Sequence, residues 1–150
     1  MLNRSPPAGK EGMDGATSER RRSTLLVVDD DSALLRVLKK ILVRRGYEVL
    51  VAGSAPEALE LIDRHDGPLH GAICDLVLPG MGGWDLADRA QALRPGLPIL
   101  FISGYDLPTV MEKEVIPPSM ALEVTLLQKP FAVGDLTARL DTLLGECSEG

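Results

Sequence analysis

Aromatic side chains are scarce: Phe, Trp and Tyr together make 3% of the 150 residues. A core must therefore be built from aliphatic side chains, and the apolar set as a whole reaches 45%. Cysteine is nearly absent. Cys74 and Cys147 give neither a disulfide framework nor the paired spacing of a zinc site. No apolar run approaches the roughly 20 residues of a membrane helix. Residues 25–28 and 98–102 are among the longest and fall far short. No apolar stretch follows Arg4 as a signal peptide would require. The expectation is a soluble, cytoplasmic domain with no membrane insertion. The 15 Gly and 11 Pro are too few for a collagen-like or wholly low-complexity chain, and the length suits a single core.

An excess of positive charge is also missing. The chain holds 16 basic against 22 acidic residues, a net charge of −6. Residues 1–22 are mildly basic, so residues 23–150 carry the imbalance, with 11 basic and 19 acidic side chains. Phosphate backbones bind basic surfaces, so direct nucleic-acid binding is not expected. An acidic domain suits a cation or a partner with a basic patch, although net charge also serves solubility alone.

Residues 1–22 are rich in Gly, Pro, Ser and charge, with Thr17 the one β-branched residue. Such a segment buries too little to offset chain entropy and reads as a disordered tail or linker. From Ser23 the pattern changes. Residues 24–28 (TLLVV) form a continuous apolar run, the signature of a strand buried on both faces. Ser32 is placed as an N-cap. Leu34, Val37, Leu38, Ile41 and Leu42 then make a helical stripe, and Gly46 ends it. Leu35, at the stripe's edge, either completes the core or touches a partner. Further strands are expected at residues 47–52, 70–74, 98–102 and 122–127. Helices are expected at about 54–64, 84–93, 109–115 and 133–144, with an extended segment after Pro117-Pro118. The domain is read as residues 23–146, with 147–150 a C-terminal tail. The alternation of strand and helix implies a doubly wound, three-layer α/β sandwich around a parallel sheet.

The polar residues fall at strand ends. Asp29 and Asp30 follow the first strand, Asp75 the third, Ser103 the fourth and Lys129 the fifth. With a five-stranded order of 2-1-3-4-5, strands one and three straddle the switch point where ligands of such sheets bind. Asp29, Asp30 and Asp75 would meet there. Three carboxylates repel unless a cation sits among them. Lys129 and a hard divalent ion such as Mg²⁺ are the candidates. The set reads as a phosphoryl site, with Asp75 as nucleophile and Ser103 and Lys129 gripping the phosphoryl group. His65 and His70 have no ligand partners at useful spacing and read as structural.

The segments LLVVDDDSALL, AICDLVLPGMGG, ILFISGY and LLQKPF resemble the four signature blocks of the receiver (CheY-like, flavodoxin-like) domain of bacterial two-component response regulators. SGY and LLQKPF are similar to receivers of hybrid sensor histidine kinases. The resemblance implies that Asp75 is the phosphoacceptor, supplied by the phosphohistidine of a sensor histidine kinase or histidine phosphotransfer protein. It implies Mg²⁺ bound by Asp30, Asp75 and the Val77 carbonyl, with Asp29 acting directly or through water. It gives Ser103 and Lys129 the phosphoryl oxygens, and makes the Lys129–Pro130 bond cis. Catalysis would be limited to self-phosphorylation and dephosphorylation. With only residues 147–150 after the expected domain, output is expected through a partner or through other domains of a longer parent chain. Oligomeric state is left open.

Three departures from the family pattern stand out. Leu126 occupies the position where the family often has a switching aromatic, and Tyr105 is the possible substitute. Val77 and Tyr105 stand where water access to the phosphoryl group is set, so slow self-dephosphorylation is expected. The fourth helix looks short, which leaves dimerisation through that face uncertain. Two other readings remain. Asp29 to Ser32 also fit the opening of a haloacid-dehalogenase-like phosphatase, with Asp29 as nucleophile and Asp31 as acid. A degenerate, unphosphorylated receiver acting as a binding module is the other.

Overall fold

The computed structural model describes residues 23–113, 115–116 and 124–149. Ten elements alternate along it: β1 Thr24–Val28, α1 Ser32–Arg44, β2 Glu48–Ala52, α2 Ala55–Arg64, β3 Gly71–Asp75, α3 Gly83–Leu93, β4 Ile99–Ser103, α4 Leu107–Glu112, β5 Thr125–Gln128 and α5 Val133–Glu149. The five strands are parallel and ordered β2-β1-β3-β4-β5. Successive residues of β1 point to opposite faces. Leu26 and Val28 pack with buried residues of α2, α3 and α4. Leu25 and Val27 pack with those of α1 and α5. Both faces are covered, which is why the central strands read as unbroken apolar runs. The one Trp stacks in this core, with its ring 5.8 Å from that of Phe101.

Caps set the helix boundaries. The N-cap of α1 is Asp31, not Ser32: its side chain accepts the N–H groups of Ala33 and Leu34. Asp outranks a following Ser here because its carboxylate also favours the helix's positive end. Gly46 ends α1 in the left-handed region at φ 98°, as expected. Ser54 caps α2 through the Glu57 N–H, and Glu57 reaches back to the N–H of Gly53, a reciprocal arrangement of the capping-box kind.

The apolar stripe of α1 is rotated from its expected phase. Leu35, Leu38 and Leu42 are buried, whereas Val37 is 52% exposed. Leu35 therefore belongs to the core. The helix carries more apolar residues than the sheet and α5 together cover, so one flank of the stripe is left outside. The fourth helix spans Leu107–Glu112, earlier than expected, because Asp106 caps it by accepting the Thr109 N–H. The last helix continues to Glu149, past residue 144 and into the expected tail. A lone Gly145 costs a helix only about 1 kcal/mol and does not stop it. Residues 1–22, the Pro117-Pro118 segment and the start of the expected fifth strand lie outside the described residues.

Candidate phosphoryl and metal site

Register places the acids. Val28 of β1 pairs with Cys74 of β3, so the next residues on each strand, Asp29 and Asp75, emerge side by side at the carboxyl edge. The backbone N–H of Asp29 still donates to Ala52 on β2, which anchors it as the strand ends. Asp29 is fully buried, and its Oδ1 accepts the Asp31 N–H at 2.9 Å. Asp30 is exposed. Asp75 is buried, with Oδ1 accepting the Val77 N–H at 3.0 Å and Oδ2 accepting Lys129 Nζ at 2.9 Å. Lys129 Nζ also lies 2.9 Å from Asp29 Oδ2. One oxygen from each of Asp29, Asp30 and Asp75 falls within 4.8 Å of the others.

Charge and burial compete here. Burial pushes the Asp75 carboxyl above the ordinary range, and the nearby Asp29 charge adds to that. The Val77 N–H and the Lys129 ammonium pull the other way but do not cancel it. Burial works against the Lys129 charge, but hydrogen bonds and attraction from Asp29 and Asp75 outweigh it and hold its pKa up. One ammonium faces three carboxylates, so negative charge is left over. Asp29 Oδ2 is fully buried, and the Lys129 ammonium 2.9 Å away is the cation that faces it. Uncompensated buried charge is costly. An all-oxygen donor set with one open acid suits a hard cation of the Mg²⁺ kind.

Ser103 ends β4 and is fully buried. Its strand neighbour Ile102 pairs with Asp75, which brings the hydroxyl to the same edge. Its Oγ accepts the Tyr105 N–H at 2.9 Å, a role that keeps the hydroxyl proton available for donation. The Ser103 carbonyl accepts the Lys129 N–H at 2.7 Å, and the Lys129–Pro130 bond is cis. All six residues expected at the site lie at the carboxyl ends of β1, β3, β4 and β5. Asp31 is committed to capping α1, away from the acid role a phosphatase reading would give it. His70 Nδ1 accepts the Thr24 N–H at the opposite end of β1, and His65 contacts the Pro68 carbonyl.

Two features were not evident in the sequence. Gly83 opens α3 directly against the β3 exit, and a Cβ there would lie 2.1 Å from the Asp75 carbonyl oxygen. The Gly82-Gly83 doublet was the available signal, since a close backbone approach is one reason for glycine. The other is Lys113, whose Nζ sits 5.3 Å from the centre of the Tyr105 ring.

A family model described as the response regulator receiver domain matches residues 25–141. The response regulator receiver protein CpdR of Brucella abortus is 30% identical over 109 residues, which is 73% of this chain and 86% of that protein. The transcriptional regulator NtrC of a Bradyrhizobium strain is 34% identical over 118 residues, or 79% of this chain, but the match spans only 23% of NtrC. Among solved structures, a CheY-like receiver domain from Methanospirillum hungatei superposes with a TM-score of 0.69 at 32% identity, over 85% of this chain and 98% of that one. The receiver domain of the hybrid histidine kinase CckA gives 0.67 at 31% identity, over 81% and 99%. No described helix is long and apolar enough to cross a membrane.

Proposed function

Because this chain belongs to the response regulator receiver domain family, we propose that its Asp75 takes a phosphoryl group from the phosphohistidine of a sensor histidine kinase or histidine phosphotransfer protein. The observation that carries the reading is the placement of Asp75: buried, beside Asp29, with one oxygen held by the Val77 N–H and the other by Lys129. An Asp75 oxygen attacks phosphorus, the P–N bond to the donor histidine breaks, and an acyl phosphate forms. Lys129 stays against the phosphoryl oxygens, and Ser103 donates its hydroxyl proton to them. Asp29, Asp30, Asp75 and the Val77 carbonyl would hold Mg²⁺. When bound, that ion neutralises charge on the transferring oxygens. The donor's helical bundle would dock on the flank of α1 that carries exposed Val37 and half-buried Leu34, beside the cleft. The receiver unit is read as residues 23–146, acting from the cytoplasm, with output through protein contacts.

Acetyl phosphate with Mg²⁺ tests this directly. A hydroxylamine-labile phosphoryl group should map to Asp75 and be missing from Asp75→Asn. Labelling at Asp29 would instead support the phosphatase reading. Failure to label, with no response to Mg²⁺, would support the degenerate receiver. Val77 and Tyr105 are both solvent-facing at this mouth. An aliphatic side chain and a ring there shield the phosphoryl group from water, so the acyl phosphate should last well beyond seconds in a chase without donor.

A further inference from the structure

Tyr105 stands at the mouth of the phosphoryl cleft, and its backbone is pinned on both sides. Its N–H donates to Ser103 Oγ at 2.9 Å. The next residue, Asp106, caps α4 by accepting the Thr109 N–H at 2.9 Å. Tyr105 is nonetheless 37% exposed, so packing leaves its ring room to turn about the side-chain bonds. The group that holds the ring is the Lys113 ammonium, 5.3 Å from the ring centre.

Helix geometry explains how Lys113 reaches it. Lys113 directly follows α4, and its N–H donates to the Thr109 carbonyl at 2.9 Å. Long side chains on a helix lean back toward its N-terminus. The methylene stem of Lys113 therefore runs along α4 and delivers the ammonium to the start of the helix, where Tyr105 sits. There the electron-rich face of the ring meets the cation. Lys113 is exposed, and among the described residues no ion pair competes for it.

We propose that Lys113 is a positioning residue for the lifetime of the acyl phosphate. It holds the Tyr105 ring at the cleft mouth, where the ring keeps attacking water from the phosphoryl group on Asp75. The inference rests on the phosphoryl reading above and extends it to a residue outside the cleft. The step it slows is hydrolysis. A water oxygen bonds to phosphorus and the P–O bond to Asp75 breaks. The Asp75 carboxylate is restored, and inorganic phosphate carries off the water's oxygen and both its protons. Water must approach in line with the leaving Asp75 oxygen, so a ring that turns away opens that path for part of the time. The rate follows the fraction of time the ring is away. An exposed cation–ring contact changes such a fraction about two- to fivefold. The ammonium that touches Asp75 is that of Lys129, and Lys113 acts through the ring.

The test follows decay of the phosphoryl group after acetyl phosphate is removed from the labelled full chain. In Lys113→Met the lifetime should fall about two- to fivefold, with labelling still on Asp75. Lys113→Arg should keep the parent lifetime, because a guanidinium also sits on an aromatic face. Tyr105→Ala should shorten the lifetime at least as much as Lys113→Met does, and adding Lys113→Met to it should change nothing further. A second readout needs no phosphoryl group. The Lys113 ε-methylene protons should be shifted upfield by the ring in the parent and return to ordinary values in Tyr105→Ala. An unchanged lifetime in Lys113→Met, equal shortening with and without the ring, failure of Lys113→Arg to rescue, or absence of the upfield shift would overturn the proposal. A parent that takes no phosphoryl group at all would instead overturn the reading beneath it, and the proposal with it.

Discussion

Asp75 and Cys74 are neighbours in sequence that point to opposite faces of the sheet, and that alternation divides their chemistry. Asp75 reaches the cleft edge. Cys74 lies inside the core, its Sγ 3.4 Å from the Asp75 carbonyl oxygen. Burial pushes the Cys74 thiol up to about 12, and the Asp75 and Asp29 charges push the same way. The thiolate is the reactive form, so native Cys74 should be inert to a thiol reagent at pH 8 in a Cys147→Ser background. It should react only after urea unfolding, and prompt reaction of the folded protein would contradict its placement. The linkage has a definite sign. The folded state keeps a proton that the unfolded state releases near 9. Stability is therefore fully present below that value and falls as pH rises from about 9 toward 12, by up to about 1.4 kcal/mol per pH unit. Cys74→Ala should lack that part of the slope in alkaline urea titrations. At this scale the sequence was informative about which polar side chains meet. Asp29, Asp30, Asp75, Ser103 and Lys129 stood out because acids, a hydroxyl and a lysine closing apolar runs are unusual, and the sheet brings them to one edge. Gly83 did not, because its constraint is a collision with Asp75 that exists only once the loop between them has folded back.

Elements were legible in kind and order, while the phase and ends of helices were decided by neighbours. In α1 the sequence offers two overlapping stripes. Packing against β1, β3 and α5 selects the one through Leu35, Leu38 and Leu42. The other flank, with Val37, remains outside. The ends of α2 and α3 show a second kind of tertiary control. Arg94, the C-cap of α3, donates to the carbonyls of Ile62, His65 and Gly67 at 3.1, 2.6 and 2.9 Å. Those carbonyls belong to the last turn of α2 and the loop after it, where a helix leaves acceptors unpaired. Nothing in the local sequence of either segment shows the pairing, because it spans about thirty residues of chain. Arg94→Ala removes the shared donor from partly buried acceptors. It should cost about 1–3 kcal/mol in urea denaturation, and amide exchange should quicken at residues 62–67 ahead of the rest. Arg94→Lys recovers only part, since one ammonium cannot reproduce the guanidinium's fork. A loss under half a kcal/mol for Arg94→Ala would show the three bonds to be dispensable.

Across the whole molecule, charge is sorted by place. Acids gather at the carboxyl edge around Asp29, Asp30 and Asp75, and cations collect along the outer side of α1. The sheet order brings β1 and β3 together at the centre, so the acids are forced into proximity by the same packing that builds the core. Repulsion of Asp75 by Asp29 and Asp30 is then a load on the folded state that the unfolded chain, with Asp75 far from the pair, does not carry. A divalent cation that binds only the assembled cluster relieves this load, and its binding energy adds to folding. With Mg²⁺ at ten times its dissociation constant the gain is about 1.4 kcal/mol. A domain of this size loses about 1–3 kcal/mol per molar urea. The urea midpoint should therefore rise by about 0.5–1.4 M when Mg²⁺ is added and return on chelation with EDTA. Asp30→Asn removes one oxygen ligand at an exposed position without disturbing the buried Asp29–Lys129–Asp75 contacts. It should fold as well as the parent in EDTA yet lose most of the Mg²⁺ shift. Salt screening predicts something different: an effect of similar size from NaCl at matched ionic strength, equal in parent and variant. Equal shifts in the two proteins would therefore assign the effect to general screening and remove the cluster as a metal site.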